Sequence, residues 1–233
     1  MNERDDASFS VHTKRLVLRL ADPMSQADCE EIIRIYNDPH NERAVSGIKT
    51  VADVQEKHRR HGPRPEFCPL TPAIRGMFLL AYLQAGDVEG SSETGNEEVF
   101  IGQVHMSFRP EMPYPDLGYA LLAPYEGQGY ATEAAQAAIR FWQDTVGVKE
   151  IMIGTVPDNF KSQKLAERLG FVQAGTFDVV FGHPPNERRE TGGLAFVLPG
   201  MTWTEGKTMR LTVGAEVEDP EQYGDTAQQQ EAS

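Results

Sequence analysis

The sequence predicts an α/β (α+β) fold, with a mixed sheet and helices on both of its faces. Its elements follow in the order strand, helices, consecutive antiparallel strands, helix, strand, helix and strands. Of the 233 residues, 39% are apolar and 24% are charged, an ordinary balance for a protein with one sizeable core. There is no internal repeat, so we expect one domain with tails.

The first elements are a strand and two helices. Residues 16–20 form a short apolar run that is typical of a strand. Ser25 stands three residues before Asp28, and Thr50 stands three residues before Asp53. A hydroxyl side chain three positions before an acidic one is typical of a helix start, so each pair predicts a helix. A proline-rich segment then predicts an irregular connection.

Three strands and the most regular helix come next. The strands are predicted at residues 77–83, 99–108 and 116–122. Residues 85–98 carry glycines, serines and acidic residues, and they predict an exposed hairpin loop. Residues 131–143 repeat alanine and larger apolar residues at helical spacing, which predicts a helix.

The last part of the domain predicts a strand, a helix and two more strands. The strand covers residues 151–156, and Asp158 and Asn159 are good caps for the helix that follows. Gly170 is a natural end for that helix. The final strands are predicted at 171–181 and 194–198, with a polar loop at 182–193 between them.

The domain boundaries follow from this assignment. Residues 1–12 are polar and predict a flexible N-terminus. Residues 13–204 form the predicted domain. Residues 205–233, polar and acidic from about Glu216 onward, predict a C-terminal extension that is largely disordered.

Composition argues against several partners. The net charge of −13 disfavours non-specific binding to nucleic acid, which needs a basic surface. No stretch approaches the roughly 20 apolar residues that span a bilayer, and no secretory signal opens the chain. Cys29 and Cys68 lack CxxC spacing, which suits isolated thiols in a reducing compartment. We expect a cytoplasmic protein without nucleic-acid, membrane or metal binding.

The segment with the clearest chemistry lies between the strand at 116–122 and the helix at 131–143. A loop with Gly127 and Gly129 joins them. Such a loop exposes main-chain N–H groups at a helix N-terminus, where the helix dipole also attracts anions such as phosphate. There is no GxxxxGK[ST] motif, and Thr132 stands where GxGxxG needs its third glycine. From these residues alone, a plain strand–turn–helix connection stays an open alternative.

Residues 126–131 resemble the pyrophosphate-binding motif of the GNAT superfamily of acyl-CoA-dependent N-acyltransferases, which has the pattern Gln/Arg-x-x-Gly-x-Gly/Ala. The longer string Gly-Gln-Gly-Tyr-Ala-Thr-Glu-Ala is similar to the branch that acetylates protein N-termini, including those of ribosomal proteins. Residues 13–19 resemble the first strand of that branch, and 158–162 with 168–171 resemble its second cofactor segment. The resemblance covers roughly residues 13–198.

The resemblance implies a mostly antiparallel sheet with one splayed parallel strand pair, and acetyl-CoA as the co-substrate in the gap. The pantetheine arm would bond the backbone of the first splayed strand, loop amides would hold the pyrophosphate, and Asn159 would bond the pantetheine chain. The implied cofactor-binding residues are Leu121, Leu122, Gly127, Gln128, Gly129, Tyr130, Ala131, Thr132 and Asn159. The acceptor would be an amine, either a small molecule or a peptide N-terminus.

Glu126 departs from the family pattern, because it stands where Gln or Arg is usual. A carboxylate near two phosphates is unfavourable unless it points away from them. We expect the Glu126 side chain to turn outward.

Transfer to an amine needs a base for the amine proton and an acid for the leaving thiolate. Asp116, which opens the strand beside the thioester, is the first candidate base, and His105 on the preceding strand is the alternative. Many members of the family carry a tyrosine as the acid where this chain has Ala166. Ser162, one turn earlier, is the candidate acid in the branch that this chain resembles.

Two other functions stay open. One is a module of this fold that holds CoA without turnover, and the other is an unrelated nucleotide binder that uses the same glycine loop. The sequence predicts neither the acceptor nor the oligomeric state.

Overall fold

The computed structural model describes residues 9–41, 48–84, 98–181 and 187–211. Its strands are β1 Ser10–His12, β2 Leu16–Leu20, β3 Phe78–Leu83, β4 Val99–Ser107, β5 Asp116–Leu121, β6 Met152–Thr155, β7 Val172–Phe181, β8 Arg188–Val197 and β9 Lys207–Leu211. Its helices are α1 Gln26–Tyr36, α2 Val51–His61, α3 Tyr130–Arg140 and α4 Phe160–Arg168. A π-helical turn, Phe141–Val146, continues α3.

The strands form one sheet in the order β1-β2-β3-β4-β5-β6-β8-β7-β9. Only the β5–β6 and β7–β9 pairs in it are parallel, and the other pairs are antiparallel. Leu79 and Ala81 of β3 join the core cluster that includes α3, whereas Phe78 and Leu80 join the cluster that includes α1. Because side chains alternate along a strand, α1 and α3 lie on opposite faces of the sheet. The predicted fold class is confirmed.

Local signals place the helix starts correctly. The Ser25 hydroxyl accepts the Asp28 N–H, so it caps α1. Thr50 and Asp53 form a reciprocal capping box at the start of α2. Asn159 caps α4 by accepting the Ser162 N–H. Each of these caps satisfies an N–H group that the helix itself leaves without a partner.

Two strands and half of a third were missed from the sequence. Ser10–His12, within the predicted flexible N-terminus, pairs with β2. Residues 188–193, within the predicted polar loop, are the first half of β8. Lys207–Leu211, within the predicted C-terminal extension, pairs with β7 as β9. The loop predicted at 85–98 and the tail beyond 211 lie outside the described residues, except for Glu98.

The polar half of β8 explains why pattern analysis missed it. Arg188 pairs with Phe181 and lies over its ring, and Arg189 forms an ion pair with Asp178 on the same neighbouring strand. Residues 188–191 of β8 are all exposed, so the apolar alternation that marks a half-buried strand is absent from this strand. None of the helices described is long and apolar enough to cross a membrane.

Candidate functional site

The parallel strands β5 and β6 separate soon after they meet. They are in register only at Asp116 and Met152, where the Met152 N–H donates to the Pro115 carbonyl at 2.9 Å. A continuous parallel ladder would next send the Gly154 N–H to the main chain of β5. Instead, this N–H donates to Oδ1 of Asp116 at 2.9 Å. The two strands therefore splay, as the family resemblance implies, and a gap opens between them.

Leu121 presents its main chain to this gap. The Leu122 N–H donates to the Ile101 carbonyl of β4 at 2.9 Å. Since neighbouring residues of a strand direct their main-chain groups to opposite sides, the N–H and C=O of Leu121 point away from β4. The Leu121 carbonyl accepts a hydrogen bond from the side-chain amide of Asn41 at 3.1 Å. The Leu121 N–H is thus available as a donor inside the gap.

Leu122, the second leucine that the resemblance assigns to the cofactor, has its main-chain groups in use. Its N–H is bonded to β4, and its carbonyl accepts the Tyr125 N–H at 2.9 Å. Of the two leucines, Leu121 is the one whose main chain can serve a ligand. Asn41 was not singled out from the sequence, because a single asparagine in a turn carries no motif.

The loop between β5 and α3 leaves a run of main-chain amides open. Tyr125 and Glu126 use their N–H groups to close a short turn. From Gly127 to Thr132, no described residue accepts a hydrogen bond from the main-chain N–H groups. No side chain caps α3, and the loop is exposed. Several free donors at one helix N-terminus form a site for an anion, and they suit a diphosphate.

The two glycines make this loop possible. Gly127 has φ of +74° and Gly129 has φ of +84°, the left-handed region that other residues rarely adopt. Nothing lies within 4 Å of the position where a Cβ on Gly127 would stand, so a ligand can approach the backbone there. The Gln128 side chain folds back to the Pro124 carbonyl at 2.9 Å, which leaves the amide side of the loop clear.

The remaining members of the predicted phosphate site belong to the first turn of α3. Tyr130 is buried in the core, and Ala131 and Thr132 are half-buried. These residues therefore offer main-chain N–H groups to a ligand, while the tyrosine ring anchors the helix.

Glu126 is directed at α4. Its Oε2 accepts an ion-paired hydrogen bond from Nζ of Lys161 at 2.6 Å. Lys161 is largely exposed, so the pair adds little to stability. The pair acts on the electrostatics of the loop, because Lys161 neutralises the Glu126 carboxylate that departs from the family pattern.

Asn159 keeps a free donor after capping α4. Its Oδ1 accepts the Ser162 N–H at 3.1 Å. The structure gives its Nδ2 group no partner among the residues it describes, and the side chain is exposed. This amide can donate to a ligand that lies along the end of β6.

Ser162 contacts a tyrosine that the sequence reasoning missed. The Tyr119 hydroxyl on β5 lies 2.9 Å from Oγ of Ser162 and 3.1 Å from the Ser162 carbonyl. Burial raises the pKa of Tyr119 to about 12, so the phenol holds its proton near neutral pH. Ala166, where many related enzymes carry a tyrosine, is fully buried. A tyrosine hydroxyl nevertheless reaches α4, from the neighbouring strand.

Asp116, the first candidate base, is buried and already bonded. Besides the Gly154 N–H, its Oδ2 lies 3.9 Å from Nε of Arg109. Burial raises the pKa of Asp116, while the Arg109 charge and the Gly154 hydrogen bond work in the opposite direction. Arg109 itself is held by the Arg210 carbonyl of β9 at 2.7 Å. The carboxylate thus fixes the point where the two strands part.

The ring of His105, the alternative base on β4, packs against β5 at Gly118. A Cβ added to Gly118 would clash with Cε1 and Nε2 of the imidazole, so the glycine makes room for the ring. Burial lowers the pKa of His105 well below 6.5, and the charges of Lys57 and Arg109 lower it further. The ring is neutral near pH 7 and keeps a lone pair. Its Nδ1 is buried without a hydrogen-bond partner in the described structure.

Both candidate bases lie in a polar layer between α2 and the sheet. Lys57 and His61 of α2 and Arg109 contribute to it, and each is almost fully buried. Burial and the Arg109 charge lower the pKa of Lys57 to about 7, although Asp116 opposes this change. Within the described ranges, no three His, Cys, Asp or Glu side chains gather as metal ligands would.

Comparison with known families gives a match over most of the chain. A family model described as the acetyltransferase (GNAT) domain matches residues 15–172. Among curated proteins, ribosomal protein uS5-alanine N-acetyltransferase of Escherichia coli (strain K12) is 41% identical over 59 residues. That match covers 25% of this chain and only 30% of the relative's length.

Solved structures share the fold over nearly their whole length. An acetyltransferase from Agrobacterium tumefaciens aligns with a TM-score of 0.55 and 24% identity, over 84% of this chain and 98% of the other. A ribosomal L7/L12 alpha-N-protein acetyltransferase in complex with coenzyme A aligns with a TM-score of 0.52 and 14% identity, over 81% and 96%. At these identities the likeness establishes the fold.

Proposed function

We propose, from the premise that this chain belongs to the GNAT acetyltransferase family, that it transfers the acetyl group of acetyl-CoA to a primary amine by direct attack. One observation carries the proposal. The open amides from Gly127 to Thr132 stand at one end of a gap whose edge, β5, has free main-chain groups. An anionic head and an extended arm on one molecule fit this combination.

Acetyl-CoA would bind through main-chain contacts. The diphosphate would accept hydrogen bonds from the N–H groups of the loop and of the first turn of α3. The pantetheine arm would lie along β5 like an added strand, because the main chain there has lost its β6 partner. The free amide of Asn159 supports the arm from the other side of the gap.

The reaction forms one bond and breaks another. The amine nitrogen attacks the carbonyl carbon, and the charge that develops on the oxygen is stabilised by a main-chain donor, for which we assign the Leu121 N–H. The C–S bond then breaks and CoA leaves as a thiolate. We assign the Tyr119–Ser162 hydroxyl pair, whose oxygens lie within hydrogen-bonding distance of each other, the role of giving that sulfur a proton.

His105 is our preferred acceptor for the amine proton. Its ring is neutral, and it packs against the open strand β5 at Gly118. Asp116 remains the alternative base, but its carboxylate already accepts the Gly154 N–H and faces Arg109. We assign it the task of holding the strands apart.

The acceptor class is a protein N-terminus or a small amine. The local identity to a ribosomal protein uS5-alanine N-acetyltransferase favours an N-terminus. The alternative is a module of the same fold that binds CoA without turnover, which Ala166 in place of a tyrosine would suggest. The hydroxyl of Tyr119 beside Ser162 favours the enzyme, because it supplies the group that Ala166 lacks.

Two measurements test the proposal. Thermal unfolding should shift upward with acetyl-CoA and not with ATP or NAD, because only a specific ligand stabilises by mass action. Thiol release should then be followed with peptides that have different N-termini, with amino acids and with polyamines. Release with one amine class supports the enzyme. Binding without release from any amine would support the silent module, and no shift with acetyl-CoA would refute both.

A further inference from the structure

Arg15 contacts the phosphate loop from the other end of the sequence. It lies just before β2, yet its Nη1 donates to the Gln128 carbonyl at 3.0 Å. Its guanidinium carbon lies 4.3 Å from the centre of the Tyr130 ring. A Cβ placed on Gly129 would lie 3.4 Å from its Nη2. The guanidinium thus packs against the loop that we assign to the diphosphate.

Glu133 fixes Arg15 in this position. One carboxylate oxygen accepts the Thr13 hydroxyl at 2.6 Å and the Arg15 main-chain N–H at 2.9 Å. The other oxygen accepts Nε of Arg15 at 2.7 Å. Burial works to raise the pKa of Glu133, but the hydrogen bonds from Thr13 and Arg15 outweigh it and lower the pKa. Glu133 is therefore a fixed negative charge.

The contact to Gln128 orients the next amide. The carbonyl of Gln128 and the N–H of Gly129 belong to one peptide unit, and in a trans peptide they point in opposite directions. With the carbonyl held by Arg15, the Gly129 N–H points to the side away from the guanidinium. One of the open donors of the loop is aimed in this way before any ligand arrives.

Arg15 also offsets the negative charge of Glu133 beside the predicted diphosphate. Glu133 lies in the first turn of α3, the same turn whose amides face the predicted diphosphate. A carboxylate there would repel two phosphates, and the guanidinium offsets its charge at hydrogen-bonding distance. The other acidic residue of the loop, Glu126, is offset in the same way by Lys161.

We infer that Arg15 is a positioning residue for the CoA diphosphate, which sets the Gln128–Gly129 peptide and neutralises Glu133. This inference rests on the proposed binding of acetyl-CoA in the gap. Arg15 acts through the loop, so its effect should appear with ligands that carry the diphosphate. It should be absent with ligands that end at the pantetheine.

The test compares Arg15→Gln with Arg19→Gln as the matched control. Arg19 lies on β2, the strand that follows Arg15, but it pairs with Glu98 and lies over the Tyr82 ring, away from the loop. Arg15→Gln should weaken CoA binding by calorimetry about tenfold, the size expected for a lost charged hydrogen bond. Turnover of S-acetylpantetheine, which has no diphosphate, should change less than about twofold relative to the control. Adding Glu133→Gln to Arg15→Gln should restore part of the CoA affinity.

The outcomes separate this inference from the proposed function. Wild-type protein that does not bind CoA would overturn both. Wild-type binding with no loss in Arg15→Gln would overturn the inference alone, as would an equal loss with CoA and S-acetylpantetheine, since that pattern is general damage. If Arg15→Gln does not fold, Arg15→Lys serves instead. It keeps the charge without the planar fork and should lose part of the CoA affinity; full affinity would refute the orienting role.

Discussion

The carboxylate of Asp116 accepts the main-chain N–H of Gly154 at 2.9 Å, across the point where β5 and β6 part. One side chain thus takes the hydrogen bond that a parallel ladder would have given to the backbone. The remaining edge of β5 has no β6 partner, which opens it to an extended ligand. The same contact bears on catalysis, because a carboxylate that already accepts this hydrogen bond is a poorer candidate for the general base.

Asp116→Asn and His105→Gln separate the two candidate bases. Asparagine keeps an oxygen for the Gly154 N–H, so Asp116→Asn should retain the gap and lower kcat less than about tenfold. His105→Gln should lower kcat by about two orders of magnitude, the usual cost of removing a general base. Steady-state kinetics with saturating acetyl-CoA makes the comparison. The reverse ranking would restore Asp116 as the base.

Asp116→Ala is the structural control for that experiment. It leaves the Gly154 N–H without its acceptor and removes the anion beside Arg109. A buried polar group without a partner costs about 1–3 kcal/mol of unfolding free energy. Denaturant unfolding should show this loss for alanine and a smaller one for asparagine. Equal stability of all three proteins would mean that the contact does not hold the strands.

Tyr119→Phe and Ser162→Ala test the proton donor for the leaving thiolate. Because the two hydroxyls lie 2.9 Å apart and act together, each change should lower kcat about tenfold or more with little change in acetyl-CoA KM. The double variant should be little worse than either single one. Fully multiplicative effects would show that the hydroxyls act separately, and an unchanged kcat in one variant would remove that residue from the mechanism.

Glu126→Gln tests the departure from the family pattern. Lys161 neutralises Glu126 in the structure, and the substitution would free that lysine beside the diphosphate. We expect the acetyl-CoA KM to stay the same or to fall. Lys161→Gln, which leaves the carboxylate uncompensated, should raise it. A clear rise with Glu126→Gln would show that the loop does not lie at the phosphates.

Lys57→Met should stabilise the protein in a pH-dependent way. The folded-state pKa of Lys57 is about 7 against 10.5 for the free side chain, mainly because of burial. Below pH 7 the folded protein carries a buried charge at full cost. Between pH 7 and 10.5 the unfolded state binds more protons, so wild-type stability rises and the cost of Lys57 fades.

The variant should therefore gain about 1–4 kcal/mol below pH 7 and progressively less at higher pH. Denaturant unfolding at pH 6, 7.5 and 9 measures this change, with exposed Lys164→Met as the control. A gain of the same size at every pH would mean that lost packing or polarity, and not the buried charge, determines the effect.

Sequence reasoning succeeded where the signal is local. Ser25, Thr50 and Asn159 each lie within three residues of the N–H group that they cap, so short windows predict these helix starts. The glycine loop is equally local, because the left-handed conformations of Gly127 and Gly129 follow from the absence of a Cβ. The resemblance to a family placed these pieces in one fold.

The parts that were missed depend on distant pairs. Arg15 and Glu133 are 118 positions apart, and Tyr119 and Ser162 are 43 apart. Strand β9 has few apolar residues, and it is ordered by pairing with β7. No short window contains both partners of such a contact. The splay of β5 and β6 was expected from the family resemblance and not from any short window, since it depends on Asp116 reaching Gly154, 38 positions later.

The most direct test of the account is a crystal structure with acetyl-CoA bound. We expect diphosphate oxygens at hydrogen-bonding distance from the main-chain N–H groups between Gly127 and Thr132, and a pantetheine arm between β5 and β6. A diphosphate bound elsewhere, or β5 and β6 joined along their full length with the ligand outside them, would contradict it.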